Sequence, residues 1–313
     1  MTTWSKRLGS RDFWPKFVYH FTDLPNALSI LESDKLCSRV EAQAQKLLKT
    51  DSACPAVIEG TDPDHTRYAR LYFRPRTPTQ YRNEGIRTRS QIWENAHCPM
   101  PVFFCFDTVE VLTMDGTELS NGNMGSPRVE HGAAIDMLSK IPFEYVFHDG
   151  GYSPEMRDLI TFHRHAEILI PHSLTLLPSL KWIVCRSPAE QNTLLHLLPD
   201  AVRKKWQSKV RIDYRTLFER KWFYVNTVTT VGSDIEFRFN PDLKVDSSLI
   251  ESFEAKLIYA ESNGVRRTWK GQMQANKSHQ RFAVEDARRG VVTLTLDGHI
   301  AFAGPVNFED TPF

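Results

Sequence analysis

The stretch FHRHAEILIP, Phe162 to Pro171, decides how this chain is read. As a β-strand, its side chains alternate between two faces. Phe162, Arg164, Ala166, Ile168 and Ile170 then share one face, and His163, His165, Glu167 and Leu169 the other. An ionised carboxylate inside so apolar a run is costly unless it has a partner or a purpose. Glu167 is therefore either half of a buried ion pair, the usual fate of an interior acid, or a working group. His163 and His165 stand two apart, but no further ligands lie at metal-binding spacing, so no metal is expected.

Composition bounds the rest. The chain has 313 residues, 41% hydrophobic and 25% charged, which suits a globular protein long enough for two domains. No apolar run nears the roughly 18 residues of a membrane helix, and MTTWSKRLGSRDFWPKF lacks a secretory core. Five scattered cysteines with no CxxC pair fit free thiols. A cytoplasmic protein without a membrane partner is expected. The net charge of +1 conceals segregation. From His65 to Gln91 there are seven Arg, no Lys and one acid, Glu84, with Tyr68, Tyr72, Phe73 and Tyr81 interleaved. Planar guanidinium groups among aromatic rings suit phosphate recognition and base stacking. From Arg203 to Lys221, eight basic residues face only Asp213 and Glu219, a pattern that a solvated helix face explains equally well.

FVYHFT (17–22), ARLYFRP (69–75), PVFFCFD (101–107) and SLKWIVCRS (179–187) read as strands. DLPNALSILESDKL reads as a helix with Asp23 at its N-cap. SPAEQNTLLHLLPDAVRKKW reads as another helix, with Ser187 and Glu190 as a capping box. GTELSNGNMGSPRVEHG (116–132) has turn chemistry throughout, and so does TDSACPAVIEGTDPDH. After Trp222, short alternating runs separated by turn residues argue for an antiparallel sandwich or barrel. The expected organisation is an α+β core over 1–222 and a β-rich accessory domain over 223–313.

Three blocks in order carry a resemblance: YHFTDLPNALSILESDKL (19–36), ARLYFRPRTPTQY (69–81) followed by PVFFCFD, and FHRHAEILIP (162–171). Together they resemble the DarT family of NAD-dependent ADP-ribosyltransferase toxins, which modify bases in single-stranded DNA. The likeness runs from about Phe17 to Val184. It implies an ADP-ribosyltransferase-like two-sheet core with helices outside, NAD as substrate, no metal, single-stranded DNA or RNA as acceptor, and a cognate antitoxin. By the same resemblance, His20 and Thr22 contact the nicotinamide side of NAD and Asn26 contacts a ribose. Tyr72 stacks on nicotinamide, Arg74 lies in the second NAD motif, and Glu167 is the catalytic glutamate. Arg39, Arg67 and Arg70 are rivals for the family's arginine, with Arg39 taken as the candidate.

The chemistry suits these residue types. Breaking the nicotinamide–ribose bond places positive charge on the ribose carbon, the demand that glycosidase carboxylates meet. A fixed glutamate stabilises that charge and can take a proton from the incoming base. This requires the Glu167 carboxylate to face a cleft shared with His20 and Tyr72. An NAD glycohydrolase, in which water replaces the base, and a non-catalytic nucleic-acid-binding module are the rival expectations.

Overall fold

The run FVYHFTD forms the strand on which the first half of the molecule is assembled. The computed structural model describes residues 8–51, 62–213, 216–243, 251–284 and 288–308. Its strands in that half are β1 (Phe17–Asp23), β2 (Lys35–Cys37), β3 (Tyr68–Tyr72), β4 (Pro101–Asp107), β5 (Glu118–Ser120), β6 (His131–Ala133), β7 (Glu167–Pro171), β8 (Ser173–Thr175), β9 (Leu180–Cys185) and β10 (Val210–Ile212). Eight of them make one sheet, in the order β10-β9-β4-β1-β3-β7-β5-β6, and β2 pairs with β8 beside it. Every pairing in the large sheet is antiparallel except β9 with β10. The run PVFFCF is buried along its whole length, as expected of a central strand covered on both faces.

Helix Leu24–Ser33 follows β1 directly and buries Leu24, Ala27, Ile30 and Leu31. Asp23 stands at its N-cap but makes no side-chain cap. Its carboxylate instead accepts from the Met100 N–H at 3.0 Å, and burial raises its pKa to about 6. The helical stretch 188–206 is broken in two, Pro188–Leu197 and Asp200–Trp206. Pro199 lacks an N–H and pushes Leu198 out of the helical region, to ψ 137°. Ser187 caps the first piece by accepting from the Glu190 N–H at 3.2 Å.

The opening stretch needs correction. Helix Arg157–His163 continues through Phe162, and turn hydrogen bonds carry the chain to Ala166. The strand begins only at Glu167, so the two-face alternation from Phe162 does not exist. The 116–132 segment, read as all turn, contributes β5 and β6. Residues 52–61 of the loop-like stretch lie outside the described residues.

The second half contributes β11 (Val225–Val231), β12 (Asp234–Phe239), β13 (Ser252–Glu261), β14 (Arg266–Gln274), β15 (His279–Ala283), β16 (Gly290–Leu296) and β17 (His299–Val306). They form a three-stranded sheet, β11-β12-β15, and a four-stranded sheet, β14-β13-β16-β17. Along β13, Phe253, Ala255, Leu257 and Tyr259 point into a second apolar core with Phe237 and Phe302. Ile86 and Ala189 from the first half join this core. Gly85 has φ +94°, and a Cβ there would lie 2.7 Å from the Trp222 Cβ, so only glycine fits where the two halves meet. No helix among the described residues is long and apolar enough to cross a membrane. The four described cysteines form no disulfide, and Cys54 lies outside the described residues.

Candidate active site

A cleft of about 300 Å3 opens beside β1 and β3, at the low end of small-molecule pockets. His20, Thr22, Asn26, Arg39, Arg70 and Tyr72 all line it. β1 and β3 are neighbours with Tyr19 opposite Tyr72, which is why the first two sequence blocks converge.

His20 Nδ1 lies 3.1 Å from the Arg70 carbonyl. A carbonyl only accepts, so Nδ1 carries the proton and Nε2 is left as an acceptor. Burial lowers the His20 pKa to about 4. The lowered value means the ring is neutral throughout the neutral range and charges only in strong acid. The expected result of an NMR titration is a flat His20 ring signal from pH 8 to pH 5; a midpoint near 6.5 would contradict this assignment.

Thr79, also in the wall, extends the hydrogen bonding from Tyr72. Its hydroxyl reaches the Tyr72 phenol and lies 3.2 Å from His165 Nε2. His165 Nδ1 faces the Thr161 carbonyl at 3.0 Å, and burial lowers its pKa to about 4. Its Nε2 must therefore accept from Thr79. Burial, with the Glu167 charge adding to it, pushes the Tyr72 phenol pKa up, so Tyr72 stays protonated.

Glu167 does not open into the cleft as the sequence reading required. It is absent from the lining and 2% exposed. Tyr72, which does line the cleft, is its direct partner across β3 and β7. Arg70 Nη1, also from the wall, is 3.6 Å from Glu167 Oε2. The carboxylate thus sits one side-chain layer behind the wall, in the ion pair that the structural alternative anticipated. That pair is loose, because Oε2 is buried without a hydrogen-bond partner. Burial raises the Glu167 pKa, while the Arg70 charge and the Met124 N–H oppose the rise. A buried carboxylate with one oxygen lacking a hydrogen-bond partner and a raised pKa is unusual in a purely structural position.

The other expected residues divide. Arg39 lines the cleft rim and is held by Asp51 through two bonds, of 2.6 and 2.9 Å. Arg67 is exposed and pairs with Asp64 at 3.6 Å, away from the lining. Asn26 has its amide engaged: it donates to the Thr50 carbonyl at 2.8 Å and accepts from the Lys49 and Thr50 N–H groups. It pins the backbone of Lys49 and Thr50, next to Asp51. Arg74 is a correction. It is 2% exposed, lies over Trp14, and donates to the carbonyls of Pro75, Val146 and His148. It braces the core and is not in the lining of this cleft.

Sequence reasoning missed Ser120, Thr79 and Asp51. Ser120 Oγ accepts from the Glu167 N–H at 3.0 Å and donates to the Gly122 carbonyl, fixing the start of β7. It lay in a segment rich in turn residues, where one more serine carries no signal. Thr79 stands directly after RPRTP, and its neighbour Tyr72 was the available clue. Among the described residues, no group of three or more His, Cys, Asp or Glu is arranged to hold a metal.

A family model described as "ssDNA thymidine ADP-ribosyltransferase, DarT" matches residues 19–224. The chain belongs to the DarT family. Thermosipho africanus DarTG in complex with ADP-ribose is similar at 17% identity and TM-score 0.51, over 69% of this chain and 53% of that one. Thermus sp. 2.9 DarT in complex with ADP-ribosylated ssDNA gives 16% identity and TM-score 0.49, over 64% of this chain and 94% of that one. The same Thermus protein in complex with NAD+ gives 16% and 0.47, over 64% and 96%. At these identities the Thermosipho likeness speaks for a shared fold alone. No curated protein matches the chain. The DarT-like fold expected from the three blocks is met, and the sheets built from β11 onward lie beyond the matched residues.

Proposed function

We propose that this DarT-family chain transfers ADP-ribose from NAD to a base of single-stranded DNA. The observation that carries the reading is the convergence of neutral His20, Thr22, Tyr72 and Arg70 on one cleft, with Glu167 directly behind Arg70 and Tyr72. The family description names single-stranded DNA and thymidine, and the Thermus relative is described with ADP-ribosylated ssDNA, which supports DNA over RNA as acceptor. The Thermosipho relative is described as DarTG, which supports a paired antitoxin. Residues 223–313 are proposed as an accessory module.

NAD supplies an electrophilic ribose carbon and a neutral leaving group. In the transfer, the C1′–nicotinamide bond breaks and its electron pair leaves with nicotinamide. A base nitrogen forms the new bond to C1′ and loses its proton. His20 Nε2 accepts from an amide or a ribose hydroxyl, and the Tyr72 ring offers an apolar wall for nicotinamide. Arg39 exchanges Asp51 for a phosphate in bidentate fashion. Arg70 is held by the loose ion pair and by the His65 carbonyl at 3.0 Å. Its withdrawal towards substrate phosphate exposes Glu167 to the developing positive charge. Glu167, ionised, stabilises that charge and takes the proton of the base.

Arg70 opposes the raised Glu167 pKa. Arg70→Gln is therefore expected to move the acidic limb of the pH–rate profile to higher pH, because the base must be deprotonated to act. An unmoved limb would remove Arg70 from the account.

The reading is tested by incubating the full chain with NAD labelled in its adenylate and with single-stranded oligonucleotides. Label is expected on the thymidine-containing DNA strand. Label on RNA alone would overturn the acceptor assignment, and free ADP-ribose formed without any nucleic acid would favour hydrolysis.

A further inference from the structure

Helix Pro78–Asn83 has two occupations. Thr79 and Asn83 line the cleft, while Tyr81 is 50% exposed and Arg82 beside it is also exposed. From that outer side runs an alternation of rings and cations. Arg82 lies over the Trp93 ring at 4.5 Å, and Trp93 is 43% exposed. Lys221 lies 4.6 Å from the Tyr81 ring and 5.0 Å from the Trp222 ring, and its ammonium donates to the Tyr81 phenol at 2.9 Å.

The charge is turned outward. Glu84, the one acid between His65 and Gln91, is fully buried. It accepts from Gln80 at 2.8 Å and from the Glu219 and Arg220 N–H groups at 2.9 Å each. Several of the arginines in this stretch are likewise committed inside. Arg74 and Arg87 are buried, and Arg76 donates to the Phe218 carbonyl at 3.0 Å. Arg82 and Lys221 remain outside with exposed rings beneath them.

We infer that Tyr81, Trp93, Arg82 and Lys221 form the platform on which the single-stranded acceptor lies as it leads into the cleft. This rests on the transferase reading above and names where the strand is held. Half-exposed rings stack unpaired bases regardless of sequence, and the cations beside them contact the phosphates between those bases. A protein partner with an acidic surface would use the cations but gain little from ring faces already placed beneath them. The helix joins both parts, so a strand stacked on Tyr81 is one helix width from Thr79 and Asn83.

The test is fluorescence anisotropy of a labelled single-stranded oligothymidine with the full chain, and of labelled polyphosphate in parallel. The double variant Tyr81→Ala, Trp93→Ala is expected to bind the oligonucleotide roughly tenfold more weakly or worse. Polyphosphate binding should be unchanged, because both cations remain. Trp93→Phe should restore part of the oligonucleotide affinity, and thermal melting should show every variant folded. Equal oligonucleotide binding by wild type and double variant would overturn the platform. So would an equal loss on polyphosphate, which would make the surface purely electrostatic. No oligonucleotide binding by the wild-type chain would instead count against the transferase reading itself.

Discussion

Glu167→Gln is expected to lower ADP-ribose transfer by roughly 10²–10⁴-fold while the protein becomes more stable. The first effect follows from loss of the Glu167 charge assigned to stabilise the ribose cation and take the proton. The second follows from the sign of the pKa shift. Burial raises the Glu167 pKa, so the folded protein disfavours the ionised form. Stability is therefore lost as pH rises from the ordinary glutamate range through the raised folded value. An amide of the same shape removes this loss. Arg70 keeps the His65 carbonyl and is partly exposed, so it is not stranded by the change. A structural ion pair predicts the reverse order: transfer largely retained and the melting temperature lowered. Thermal melting and single-turnover transfer, measured on the same preparation, separate the two.

Arg186→Met is expected to destabilise the fold by about 3–5 kcal/mol. Arg186 is fully buried, its guanidinium over the Tyr224 ring at 4.3 Å. It pairs with Glu190 in a close contact and with Glu84 at 3.5 Å, and donates to the Pro99 carbonyl at 3.2 Å. Removing it leaves two interior carboxylates without their cation, and this loss dominates the lost packing. The position lies where the two apolar cores meet, close to Gly85, so damage there reaches both. Adding Glu84→Gln and Glu190→Gln to Arg186→Met should return part of the loss, because the uncompensated charges go with them. Urea unfolding measures both variants. A cost below about 1 kcal/mol for the single variant would show that the pair is not needed at this junction.

What the sequence disclosed follows from where its signals are local. PVFFCF and FVYHFT are continuous or alternating apolar runs, and each became a strand of the large sheet at the expected place. His20, Thr22 and Tyr72 meet because β1 and β3 are adjacent, and the order of the blocks carried that information. The failures arise where the outcome depends on distant partners. Arg74 stands two residues after Tyr72 in the same block, yet three carbonyls, two of them from the 146–148 segment, claim its guanidinium. Asn26 faces the cleft, but its amide serves the backbone of residues 49 and 50. Phe162 and His163 have strand-like chemistry and still finish a helix, since the preceding turn hydrogen bonds extend through them. β5 and β6 form from a glycine- and serine-rich segment because β7 offers an open edge, which no local pattern announces.

The central claim is that the Glu167 carboxylate acts on the ribose carbon although it lies behind the cleft wall in this structure. The most direct measurement is a crystal structure of the Glu167→Gln protein soaked with NAD, with transfer blocked so that substrate persists. The account predicts Arg70 drawn aside onto phosphate and the side chain at position 167 facing C1′ of the nicotinamide ribose, within roughly 3–3.5 Å of it. NAD bound in the cleft with Arg70 still covering position 167, and no path from that side chain to the ribose, would contradict it.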